Sequence, residues 1–292
     1  MNFRTDLALE RREILDTQLN GVTVTEKNNN ECKITEIKIN TESAARKLGK
    51  GIGKYITIEM NSFSDEAAVS EGRLNALVEG IKALLPKKEG AVLVAGVGNS
   101  EMTSDALGPF TASKVFATRH ISDELRKCAG INASLRPVVS LSTGVMGQTG
   151  IESGEFIKSI CDTVKPCCVI TIDALAAGSI SRLGRTVQMS NTGISPGSGV
   201  GNSRKRIDEE YLGVPVIAIG VPTVVDSLSL ACEICGVSEE QLNRENVTQA
   251  DGLVVAPKDV DLLVKNAAYI LALSINCALQ PQLTTKELYA FM

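Results

Sequence analysis

Two aspartates in this chain, Asp105 and Asp173, each stand before an Ala-Leu pair and each follow an apolar run, in AVLVAGVGNSEMTSDALGP and CCVITIDALAAGSI. Short, nearly continuous runs rich in Val and Ile are the pattern of buried strands in a parallel sheet. Open α/β sheets bind their ligands beyond the carboxyl ends of such strands. Two strands delivering one carboxylate each to that edge would build a paired-acid site. Like charges held close separate their ionisations, so one carboxyl stays protonated as an acid while the other acts as a base on water. That division of labour serves amide hydrolysis with neither a nucleophilic side chain nor a metal. Taken singly, each aspartate fits a turn former or a helix cap equally well.

Other segments offer competing chemistry. Gly96-Val97-Gly98 follows a strand as a dinucleotide fingerprint would, but Glu101 stands where the third glycine belongs and would repel a pyrophosphate. A tight turn at a strand end accounts for these glycines. The loop GISPGSGVGNSRKR (193–206) lacks a P-loop pattern, yet its amides could form an anion nest. Arg204, Lys205 and Arg206 close that loop and are candidates for contacting an acidic substrate. Asp226, at the end of GVPTVVD, is either a charge at a helix N-terminus or a third polar group at the same sheet edge. Eight cysteines include one CxxC pair, Cys232 and Cys235, and a structural zinc site would need a second ligand pair that the spacing does not supply. The single histidine, His120, sits in a TRH stretch at the end of an expected helix.

The elements that must position these residues read as alternating strands and helices. ITEIKI (34–39) and YITIEM (55–60) alternate like half-buried strands, with a short helix between them stopped by Gly49, Gly51 and Gly53. DEAAVSEGRLNALVEGIKALLPK has helical spacing and ends at Pro86. Strands are expected at 91–98, 136–142, 167–175, 186–191, 214–223 and 252–257, and helices at roughly 107–127, 152–165 and 260–279. This alternation predicts an α/β fold, a three-layer sandwich around a largely parallel sheet. Residues 1–90 read as a partly separate N-terminal α+β section, with no clear boundary to the rest of the chain.

The chain has 292 residues, of which 43% are hydrophobic and 22% charged, which is ample material for a core. The net charge of −4 provides no basic field for nucleic acid. The stretch MNFRTDLALERREIL alternates charged and apolar residues and lacks the apolar run of a secretory signal, so a cytoplasmic location is expected. NAAYILALSINCALQPQLTT is interrupted by Asn, Ser, Gln and Pro and is read as a buried helix, with no membrane partner.

With these segments in view, the chain resembles the germination protease family of spore-forming bacteria, endopeptidases that degrade small acid-soluble spore proteins. The likeness rests on RTDLALE near the N-terminus, DALGP at 105–109, TRH at 118–120, GVMGQTGIE at 144–152, IDALAA at 172–177, SGVGNSRK at 198–205 and VPVIAIGVPTVVD at 214–226. The resemblance implies an α/β sandwich related to the hydrogenase maturation endopeptidases. It also implies an acid-type protease whose two catalytic aspartates match Asp105 and Asp173, with no metal and no cofactor. The family is made as a zymogen that removes its own N-terminal segment, and it cuts after an acidic residue and before an apolar residue followed by alanine. Thr5-Asp6-Leu7-Ala8-Leu9-Glu10 fits that pattern. The implied cut lies between Asp6 and Leu7 and leaves a propeptide of residues 1–6. The resemblance further implies a homotetramer in the spore core, with small acid-soluble spore proteins as substrates and no direct contact with nucleic acid. Two other readings stay open: a metal-dependent maturation-type peptidase on the same fold, and a non-catalytic anion- or nucleotide-binding module built on residues 193–206.

Overall fold

The computed structural model describes residues 5–14, 19–29, 31–65, 70–122, 124, 134–197, 205–238, 241–242, 247–248, 250 and 252–292. Among them, nine strands join in one sheet: β1 (Val22–Asn28), β2 (Lys33–Ile39), β3 (Gly53–Glu59), β4 (Val92–Gly96), β5 (Val138–Ser142), β6 (Cys168–Ala177), β7 (Thr186–Ser190), β8 (Val216–Asp226) and β9 (Val254–Val255). Their order is β1-β2-β3-β7-β8-β6-β4-β5, with β9 paired to the far end of β8. The apolar runs that carry the two key aspartates are β4 and β6, and β4 is buried along its whole length.

The class is α/β as expected, but the sheet is mixed. Pairing is parallel only across β5-β4-β6-β8 and antiparallel from β8 through β7, β3, β2 and β1. The reason lies in connection length. Parallel strands need a crossover of a dozen or more residues, and the short turn between Ala177 and Thr186 cannot supply one, so β7 returns antiparallel. The N-terminal strands extend this same sheet through the β3–β7 ladder. β1 is not among the strands expected from the sequence. Its Val22 and Val24 alternate, but the strand is an exposed edge carrying Glu26 and Lys27, and its polar end blurs into the Asn-rich turn that follows.

Alternating strand residues divide the core into two faces. On one, the helices Glu71–Leu84, Leu107–Ala112 and Val260–Leu279 cover Ile56, Ile58, Val94, Ile170 and Ile219. On the other, the helix Ser153–Val164 covers Leu93, Ala95 and Val169, while Ala8–Ile14 and Glu42–Leu48 cover Ile37, Ile39 and Tyr55. The result is three layers. Val260–Leu279 is apolar around most of its circumference because it is a core helix, buried along most of its length. The helix expected at 107–127 is shorter. It ends at Ala112, because backbone groups beyond it find tertiary partners: Phe116 N–H donates to Asn276 Oδ1 at 2.9 Å, and Thr118 N–H to the Val138 carbonyl at 3.0 Å. Cys128 lies outside the described residues.

The feature that builds the site is an overhang. β4 ends at Gly96 opposite Ile172, whereas β6 and β8 run on together to Ala177 and Asp226. Their ladder slips by one residue at Thr223, since Leu175 faces Pro222 and Ala176 faces Val224. Bulges of this kind re-aim side chains and are common beside functional sites. The chain leaving β4 folds back so closely over the overhang that a Cβ on Gly108 would collide with the carbonyl oxygens of Val97 and Ile172. Gly108→Ala therefore forces rigid backbone apart and is expected to cost about 3 kcal/mol of stability by urea denaturation. A loss below about 1 kcal/mol would show that the contact is slack.

Candidate active site

Asp105 and Asp173 reach one cavity by different routes. Asp173 lies within β6, at the first position beyond the end of β4, and is 6% exposed. The strand continues to Ala177, two residues past the expected end at 175. One of the Asp173 oxygens accepts from the N–H of Ala174 at 3.0 Å. Asp105 ends a single turn of 3-10 helix, Thr103–Asp105, in the loop that follows β4. Its Oδ2 accepts from the Asn99 N–H at 2.8 Å, and Gln148 Nε2 in turn holds Asn99 Oδ1 at 2.8 Å. The bulged Thr223 donates its hydroxyl to the Ser104 carbonyl at 2.6 Å, tying this turn to β8. Gly98 takes φ +121, and a side chain there would strike the Asp105 carbonyl. The glycines of GVG thus permit close approach of the Asp105 turn, which is the non-nucleotide role expected of them.

Both aspartates wall a cavity of about 180 Å3 together with Met102, Thr223 and Asp6. A neighbouring cavity of about 200 Å3 is walled by Asp6 and Asp173 again, with Lys50, Gln188 and Arg206. Asp226 is absent from both walls. It caps the helix Ser227–Cys235, accepting from the N–H groups of Leu228 and Ser229 at 3.2 and 3.1 Å. Of the two roles open to Asp226, the structure shows the one at the helix N-terminus, with Oδ2 accepting the cap bonds. The CxxC pair lies on that same helix, with Cys232 buried and Cys235 exposed. Among the described residues, no group of three His, Cys, Asp or Glu side chains is placed to hold a metal ion.

The N-terminal segment lies across the overhang. Asp6 N–H donates to the Ala176 carbonyl at 3.1 Å, and the Ala176 N–H donates to Asp6 Oδ2 at 2.9 Å. The Asp6 carbonyl accepts from Lys50 Nζ at 2.6 Å and from Gln188 Nε2 at 2.9 Å. Leu7 is fully buried and Ala8 nearly so. Glu10 is buried against the Thr5 hydroxyl, the Gly178 N–H at 2.7 Å, the Ser179 N–H at 3.2 Å and Arg182 at 3.6 Å.

The cations around this segment differ from the three expected. Arg206 does reach the cavity beside Asp6, although its guanidinium is bonded to Asp208 at 2.8 Å and to the Thr192 carbonyl at 2.6 Å. Lys205 is turned to the Tyr211 ring, 3.9 Å from its centroid. Arg204 and the loop 198–204 lie outside the described residues. The groups that meet the segment's polar atoms are Lys50, Gln188 and Arg182, none of which stood out in the sequence. The available signals were a lysine between two glycines (Gly49-Lys50-Gly51) and a glutamine between buried Val187 and Met189. Burial pushes the Lys50 ammonium below its ordinary pKa, a shift opposed chiefly by the Asp6 carboxylate and reinforced by Arg11 and Arg206.

A sequence profile described as germination protease matches residues 4–245. A germination protease of Caldanaerobacter subterraneus is 42% identical over 317 residues, covering 99% of this chain and 97% of its own length. One of Clostridium perfringens is 37% identical over 324 residues, covering 100% and 99%. A solved hydrogenase maturation protease from Thermococcus kodakarensis overlaps 67% of this chain with a TM-score of 0.37 and 16% identity, too distant to bear on mechanism. The chain is thus a peptidase with an α/β sandwich fold. It belongs to the germination protease family.

Burial pushes the Glu10 carboxyl above its ordinary pKa of 4.5, and Thr5, Gly178 and Arg182 only partly offset this. A carboxyl whose pKa is raised by docking binds its proton more tightly when docked. Its contribution is therefore full below the ordinary value and lost as pH rises through the raised one. Hydrogen-exchange protection of the Gly178 and Ser179 amides, corrected for intrinsic rates, should fall as pH rises above 4.5. Glu10→Gln should flatten that dependence, and protection that rises with pH in the unaltered chain would contradict it.

Proposed function

We propose that this chain is the endopeptidase that initiates degradation of small acid-soluble spore proteins when the spore germinates. It is made as a zymogen and cuts its own Asp6–Leu7 bond. The observation that carries the reading is the seating of that bond. Asp6 walls both cavities, each of which also contains Asp173, and Leu7 and Ala8 are buried beside them. A segment with the cleavage pattern of the family, entering the helix Ala8–Ile14 just after the Asp6–Leu7 bond, lies where a peptide substrate would lie.

Each feature of the cleavage pattern has a physical counterpart. The acidic residue before the cut is bonded by the Ala176 amide, with Lys50 and Arg206 adding positive charge around it. The apolar residue after the cut is enclosed, as Leu7 is, and the close cover of Ala8 favours a small side chain next. The acid at the position of Glu10 meets Arg182, whose guanidinium also bonds Glu13 at 2.7 Å and Glu59 at 3.3 Å. Asp105 and Asp173 act as the acid–base pair. One carboxylate takes a proton from water as the water attacks the carbonyl, and a carboxyl of the pair returns a proton to the leaving nitrogen. No metal or cofactor takes part. The enzyme works as a homotetramer in the cytoplasm of the spore core, on substrate proteins rather than on nucleic acid or membrane.

The test is mass spectrometry of the full chain incubated with a Thr-Glu-Phe-Ala-Ser-Glu peptide, with and without chelator, beside Asp105→Asn and Asp173→Asn. Cleavage after the internal Glu should survive chelation and fall by at least about a thousandfold in both folded variants. Loss of cleavage on chelation would move the assignment to the metal-dependent peptidase. Cleavage by neither full chain nor a form lacking residues 1–6 would favour the binding module. Arg182→Met should raise KM for this peptide about tenfold, but leave KM unchanged for a peptide ending in Ala in place of its last Glu.

A further inference from the structure

The carbonyl oxygen of Asp6 is gripped by two side chains from separate parts of the fold. Lys50 Nζ, from the turn that follows the helix Glu42–Leu48, stands 2.6 Å from it. Gln188 Nε2, from β7, stands 2.9 Å from it. We propose that Lys50 and Gln188 are the oxyanion-binding pair of this protease, an inference that rests on Asp6–Leu7 being the bond cut.

The positioning of each donor supports that role. Gln188 cannot swing away, because its Oε1 accepts from the Ala8 N–H at 2.5 Å while its amide nitrogen donates to residue 6. One side chain thus clamps the backbone on both sides of the bond. Lys50 is held through its own backbone. Its N–H donates to the Ala45 carbonyl at 3.1 Å, and Gly49 before it takes the left-handed φ of +63 that closes the helix. Gly51 after it is fixed by the hydroxyl of buried Tyr55, which donates to the Gly51 carbonyl at 2.9 Å and accepts from Thr192 at 3.1 Å. The carbonyl itself is aimed by the two bonds between Asp6 and Ala176.

A buried ammonium gains little from a neutral carbonyl and much from a full negative charge on the same oxygen. Its effect is therefore concentrated in the transition state. Water adds to the Asp6 carbonyl carbon, the carbonyl π pair moves onto oxygen, and Lys50 and Gln188 hold that charge while keeping their own protons. Collapse restores the double bond and expels the Leu7 nitrogen, which receives its proton from the aspartate pair. The products are a carboxylate at Asp6 and an amine at Leu7.

The experiment follows self-cleavage of the full chain by intact mass from pH 4 to 8, for the unaltered protein, Lys50→Met, Lys50→Arg and Gln188→Glu. Amide exchange at Ala176 and Gly178 serves as the gauge of docking. Lys50→Met should slow cleavage about 100- to 1,000-fold while both amides stay protected. Lys50→Arg should recover at least about tenfold of that loss, since it restores a charged donor. Gln188→Glu keeps the acceptor for Ala8 and loses the donor, and should slow cleavage by a similar factor even if Lys50→Met fails to fold. Unchanged rates in folded Lys50→Met and Gln188→Glu would overturn the proposal. So would rates that fall only together with loss of protection, because the two residues would then merely dock the segment. Failure of the unaltered chain to cut at Asp6–Leu7 at any pH, in the full chain or in added peptide, would instead remove the reading on which the proposal rests.

Discussion

The site depends on a close approach of backbone to backbone at the end of β4. Gly96, Gly98 and Gly108 let the chain that leaves β4 fold down onto the carbonyls of β6 and of its own strand end. Any side chain at these positions would hold the two apart. With the loop seated, Asp105 stands over the overhang that bears Asp173, and the Thr223 hydroxyl locks the turn between them. The carboxylates therefore wall one cavity because glycines remove bulk nearby.

The overhang has a second use. Beyond Ile172, β6 has lost β4 as a neighbour, so the backbone groups of Ala176 are available to chain from elsewhere. Asp6 takes them, with its backbone N–H on one and its carboxylate on the other. A slip of one residue at Thr223 separates the parallel ladder below from this docking surface above. The N-terminal segment is held there by its main chain and by a few charges.

Electrostatics then sorts the segment's charges. Asp6 is partly buried and Glu10 buried, positions where an isolated carboxylate is costly. Backbone amides, Lys50 and Arg182 offset that cost. For Glu10 the offset is incomplete, as its raised pKa records, and the docked segment is accordingly sensitive to protons. The basic run 204–206, the most conspicuous positive feature in the sequence, contributes only Arg206 to the described cavity, since Lys205 is turned to Tyr211. Local charge density along a chain says little about where the charges point.

By itself, the sequence determined the α/β class, β4 and β6 as buried strands, and the two aspartates near their carboxyl ends. These follow from periodicity and from short strings, which are local properties. Asp226 was legible only as a choice between two roles, because capping a helix and facing a cavity differ by a side-chain direction that spacing does not encode. Tertiary structure alone decided that the sheet is mixed, that the helix after Asp105 stops at Ala112, and that Lys50, Gln188 and Arg182 meet the N-terminal segment. Gln188 and Lys50 are separated from Asp6 by long stretches of chain, and each looks ordinary among its neighbours. What brings them to one carbonyl oxygen is the antiparallel return of β7 beside β8 and the helix-ending turn at Gly49, a juxtaposition that exists only once the whole sheet has formed.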